Sequence, residues 1–95
     1  MPRKTVDFTD QGISMLPNDK PVVYRILTDG GRNNYTGVAQ RGRVQDRLQE
    51  HLLGGKDPVP GAKVQIEQME SISEAREKER RIISRSKPPH NEQGK

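Results

Sequence analysis

Pro21-Val22-Val23-Tyr24-Arg25-Ile26-Leu27-Thr28 runs straight into Asp29-Gly30-Gly31, and the chain returns as Asn34-Tyr35-Thr36-Gly37-Val38-Ala39. The first run is rich in β-branched and aromatic residues, which suit a pleated, half-buried surface. Asp-Gly-Gly is strong turn chemistry. Together the segments predict an antiparallel hairpin. With the loop centred on Gly30-Gly31, Tyr24 lies opposite Gly37. Tyr35 is two residues from Gly37, so both tyrosines project from the same face of the sheet.

Downstream of the hairpin, Val44, Leu48 and Leu52 fall at i, i+4 and i+8 and predict a helix. Gly54-Gly55 should end it. Pro58 and Pro60 mark a loop, and Ala62-Lys63-Val64-Gln65-Ile66-Glu67 alternates with period two, as a third strand would. Ser71-Ile72-Ser73-Glu74 fits a capping box. The helix it opens should run to about Ser86 and stop before Pro88-Pro89. Its apolar stripe is Ala75, Ile82 and Ile83. Upstream of the hairpin no period is clear. Residues 1–19 read as a loosely ordered arm, with Thr5-Val6-Asp7-Phe8 as a candidate short strand. Residues 20–91 read as the folded domain and 92–95 as a disordered tail.

Composition bounds the function. The 95 residues suffice for one small domain. Without cysteine there is no thiolate nucleophile and no Cys-ligated metal. No apolar run nears the roughly 18 residues of a membrane span. Met1-Pro2-Arg3-Lys4 leads into polar residues rather than a signal-like apolar stretch, so the expected location is the cytoplasm, with no membrane partner. Lys plus Arg number 17 against 13 Asp plus Glu, a net charge of +4. The excess points to an anionic partner such as nucleic acid.

Three ionisable residues occupy helix positions where the stripe calls for apolar ones: Arg47, His51 and Glu79. A sheet covered by helices would bring them near Tyr24 and Tyr35. Local rules broken at convergent positions are a mark of a functional site. This set suits phosphodiester hydrolysis. A Glu carboxylate is a hard ligand for Mg²⁺ or Mn²⁺. An Arg clamps phosphate through paired N–H donors. A Tyr or His positions the attacking water or takes its proton.

Taken in order, the residues resemble the GIY-YIG nucleases. Val22-Val23-Tyr24 and Tyr35-Thr36-Gly37 are similar to the two halves of that family's signature. Arg47-Leu48-Gln49-Glu50-His51 resembles its helix with an Arg and, four residues on, a His. Glu79 preceding Ile82-Ile83 resembles its Glu helix. Lys87-Pro88-Pro89-His90-Asn91 is similar to its closing Pro-x-x-Asn, with His90 where Tyr is usual. Val22 and Thr36 depart from the signature, and the stretch from Gly37 to Arg47 is about two residues longer than usual. The resemblance covers residues 21–91.

The resemblance implies an α+β fold: a three-stranded antiparallel sheet flanked by helices. It implies metal-dependent cleavage of DNA by an endonuclease, with one Mg²⁺ or Mn²⁺ on Glu79. Tyr24 would organise the attacking water or act as general base, and Tyr35 would order the site. Arg47 would contact the phosphate, and His51 and Asn91 would support it. Arg43 competes with Arg47 for the arginine role, but Leu48 and His51 keep the family register with Arg47. Arg43, Arg76, Arg80 and Lys87 are candidates for holding DNA, branched or damaged DNA included. Members of the family often carry a separate recognition domain; none is expected within these 95 residues, so little sequence specificity is expected and a targeting protein partner is one expectation.

Each residue also has a plainer reading. The tyrosines can be a cross-strand aromatic pair. Arg47 can lay its stem over apolar surface. His51 can answer a helix dipole, and Glu79 can pair with Arg76 on the surface. The rival function is a non-catalytic or partner-dependent nucleic-acid-binding module of the same fold.

Overall fold

The structure is a computed structural model that describes residues 3–52 and 59–86. Within these the elements run β1 (Arg3–Asp7), α1 (Asp10–Ser14), β2 (Val22–Leu27), β3 (Asn33–Ala39), α2 (Val44–Glu50), β4 (Lys63–Gln68) and α3 (Ile72–Ser86). The hairpin forms in the expected register, β2 against β3 with Tyr24 opposite Gly37. The register shifts between Ile26 and Leu27. The turn closes through Thr28, whose carbonyl accepts from the Gly31 N–H and whose hydroxyl accepts from the Arg32 N–H. Gly31 has a φ of 86°, a conformation that favours glycine.

The α+β class holds, but the three-stranded sheet is corrected to four antiparallel strands in the order β1-β4-β2-β3. The fourth strand comes from the segment read as an arm, and it pairs Arg3 with Glu67 through Asp7 with Lys63. The candidate short strand at Thr5–Phe8 overlaps it, but its start at Arg3 and its place in the sheet carried little signal, for a physical reason. β1 is an edge strand, exposed except for a half-buried Val6, so it carries little hydrophobic alternation. Its charges also blunt the edge against further pairing. The rest of this segment packs inward. Thr9 caps α1 by accepting from the Gly12 N–H, and Phe8, Ile13 and Leu16 join the core.

Helices cover both faces of the sheet. On one, Val22, Tyr24 and Ile26 of β2 and Val64 and Ile66 of β4 pack with Val44 and Leu48 of α2 and with Ile13 of α1. On the other, Val23 packs with Met69 and with Ala75 of α3, while Val38, Ile72 and Ile82 border them. The helix stripes therefore go where their periods send them. Lys87 and Asn91 lie outside the described residues, as does the expected tail at 92–95.

Candidate active site

Tyr24 sits on a central strand with its ring wholly buried beneath α2. A buried phenol needs a partner for its hydroxyl. His51, also fully buried, supplies one: Tyr24 Oη and His51 Nε2 are 2.8 Å apart. His51 is the C-cap of α2, and its carbonyl accepts from the Val59 N–H at 2.9 Å. Tyr35 completes an aromatic triangle. Its ring stacks on Tyr24 at 6.1 Å between centroids and tilts against His51 at 4.8 Å. Both tyrosines thus share one face, as the hairpin register requires.

Gly37 makes the arrangement possible. A Cβ there would lie 2.5 Å from Tyr24 Oη and 2.6 Å from its Cζ, with Tyr35 Cε1 at 3.1 Å. Only the absence of a side chain lets the Tyr24 ring cross β3.

Charge enters from two helices. Arg47, one turn before His51 on α2, lies near enough to the Tyr24 hydroxyl for its charge to act on it. Its Nη1 also donates to Glu50 Oε1 at 3.2 Å, an i,i+3 contact that steadies the guanidinium. Arg43 lies elsewhere. It flanks the start of α2, exposed, with Asp46 at 4.0 Å. Of the two arginines, Arg47 is the one beside Tyr24.

Glu79 arrives on α3, half-buried. Burial raises its pKa, opposed by the charges of Arg76, Arg47 and Arg80. Among the described residues no hydrogen bond or ion pair closes on its carboxylate, so the surface pairing with Arg76 is not formed. The Tyr24 hydroxyl is pushed far above the usual tyrosine range, first by burial and then by Tyr35 and Glu79, with Arg47 opposing. At neutral pH Tyr24 therefore keeps its proton.

No protein family, curated protein or solved structure matches this chain. Its chemistry is read from its own residues. The fold gathers Tyr24, Tyr35, Arg47, His51 and Glu79 from β2, β3, α2 and α3. Arg76 and Arg80 flank Glu79 on its helix. Glu50 had no role in the sequence reading, although its spacing from Arg47 was the available signal.

Among the described residues no group of three or more His, Asp or Glu could hold a metal by itself. Among the described residues Glu79 alone offers a half-buried, unpaired carboxylate. That donor set fits a hard cation such as Mg²⁺ or Mn²⁺, which takes one or two protein carboxylates and fills its other positions with phosphate oxygens and water.

Proposed function

We propose that the protein is a metal-dependent endonuclease that hydrolyses DNA phosphodiester bonds, with a single Mg²⁺ or Mn²⁺ held by Glu79. The observation that carries this reading is the buried Tyr24–His51 hydrogen bond, with the charges of Arg47 and Glu79 acting on the same hydroxyl. A proton acceptor, a phosphate-directed cation and a free carboxylate are the three parts that hydrolysis of a phosphodiester asks of a protein.

The proton's path follows from the burial. Tyr24 is protonated at rest, so it is not a standing phenolate base. With Nε2 of His51 unprotonated, the Tyr24 hydroxyl donates to it. The hydroxyl oxygen can then accept a proton from the attacking water while its own moves to His51. The water oxygen bonds to phosphorus as the bond to the leaving oxygen breaks. Arg47 directs N–H donors at the non-bridging oxygens, where negative charge grows in the transition state. Tyr35 holds the Tyr24 ring and walls the site. The cation, when bound, supplies Lewis-acid stabilisation of the phosphate and leaving oxygens.

The test is nicking of supercoiled plasmid with Mg²⁺ or Mn²⁺ by the purified protein and by Glu79→Ala. Nicking should require metal and fall at least ~10³-fold in the variant, since a metal's charge stabilisation is worth several kcal/mol. Equal nicking by both proteins would remove Glu79 from the mechanism. No nicking by the wild type, with salt-sensitive DNA binding retained, would assign the chain as a binding module or a partner-dependent subunit.

A further inference from the structure

A second cleft lies on the opposite side of the sheet from Tyr24. It is lined by Arg3, Arg25, Lys78, Arg81, Ile82 and Arg85 and encloses about 420 Å³. Arg25 follows Tyr24 on β2, so strand alternation turns it to the other face. There Arg25 is only half-exposed, with Nη1 donating to Gln65 Oε1 at 2.9 Å.

The cleft's charges do not balance. Two carboxylates face its five cations. Glu67 is already taken by Arg3 at 3.3 Å and Lys78 at 3.0 Å. Glu77 is taken by Arg81 at 2.7 Å. Five cations against two carboxylates leave three positive charges, and neither Arg25 nor Arg85 has an ion pair among the described residues. Arg25 pays for its place: burial and the nearby charge of Arg3 disfavour its protonated form, and the charge of Glu67 offsets them only in part. A cation kept on a central strand at that cost, with its guanidinium at an open cleft, is poised for an anion from outside.

We propose that this cleft binds the phosphodiester backbone of nucleic acid, as a holding site separate from the residues around Tyr24. Lys78, Arg81 and Arg85 follow one another along α3 over a rise of about 10 Å. Measured along the axis of a duplex lying beside α3, that covers about three phosphates of one strand at about 3.4 Å of axial rise each. Arginine forks match phosphate oxygens in pairs. The cleft contains no aromatic side chain on which a base could stack, so contact is with the backbone and independent of sequence. At 100° per residue, Arg81 and Arg85 lie about 160° and 120° around α3 from Glu79, while Ile82, at about 60°, forms the seam between the two. The cleft's exposed arginines thus project away from the catalytic carboxylate, and one bound nucleic acid would be gripped on both sides of α3.

The choice of DNA as probe rests on the proposed function, but binding is measured in EDTA, where no cleavage occurs. Fluorescence anisotropy of a labelled duplex is followed against salt for the wild type, Arg25→Gln, Arg81→Gln/Arg85→Gln, and Arg32→Gln as an equal-charge control in the β2–β3 turn. The exposed Arg81 and Arg85 give a variant that leaves the sheet untouched, with folding checked by circular dichroism. The slope of log affinity on log salt should shrink by about 1 in Arg25→Gln and about 2 in the double variant. Arg32→Gln should leave it unchanged. A folded double variant with wild-type slope and affinity would overturn the proposal. So would displacement of pyrophosphate, rather than DNA, as the only binding that the cleft variants lose. Metal-dependent nicking with no slope change would sink the cleft and spare the nuclease reading. A slope change without nicking would do the reverse.

Discussion

A methyl group at position 37 would collide with the Tyr24 hydroxyl carbon and oxygen at 2.6 and 2.5 Å. The Tyr24 ring is packed on all sides, so the strain cannot be relieved by a small swing. Gly37→Ala must push the ring off β3 and lengthen its 2.8 Å bond to His51. Overpacking of this kind costs about 1–3 kcal/mol of stability. The loss of nicking should be larger than that of folding, about 10²-fold, because the proton acceptor and the water-positioning oxygen separate. Single-turnover nicking at a temperature well below the variant's melting point measures the two effects apart. A folded Gly37→Ala protein with wild-type nicking would detach Tyr24 from the chemistry.

The same precision is demanded of α2, whose seven residues carry Arg47 and whose C-cap is His51. A helix that short does not stand alone. Its own N-cap, Arg43, makes no side-chain capping bond. Asn18 caps it instead from the loop before β2, its Oδ1 accepting from the N–H groups of Val44 at 2.8 Å and Gln45 at 3.3 Å. Asn18→Ala should cost about 1 kcal/mol, with a matching drop in the urea midpoint. Asn18→Asp should restore it, since a carboxylate caps as well and favours the positive end of the helix. Equal stability of the Ala and Asp variants would show that the cap contributes nothing. The hairpin, both long apolar stripes and the register of the tyrosines were legible because period and turn chemistry are local. Asn18 was not, because its role joins residues 26 apart, and in the sequence it reads only as a turn former. Arg47, His51 and Glu79 stood out because they interrupt stripes. Their convergence follows from the sheet order, which no local pattern states.

At the scale of the whole molecule, the N-terminal segment, expected to be a loosely ordered arm with one short strand, ties the two layers together. Arg3 of β1 and Lys78 of α3 both reach Glu67, the buried carboxylate of β4. Burial alone would raise the pKa of this carboxyl, but the hydrogen bonds and charges of Lys78 and Arg3 outweigh it and hold the group below the usual carboxylate range. A carboxyl whose pKa is lowered by folding adds stability above its unfolded-state pKa, about 4.3 for Glu. That contribution fades as pH falls through the lower folded-state value. Glu67→Gln should thus be less stable than wild type near neutrality by about 1–2 kcal/mol, the scale of a charge-assisted hydrogen bond whose partners, 55% and 32% exposed, can turn to water. Near a pH of about 3 the gap should narrow, because protonation removes the same charge from the wild type. Urea unfolding of both proteins across this range is the measurement. A gap that stays constant down to acid pH would mean that Glu67 acts by packing alone, and that β1 and α3 are not joined through its charge.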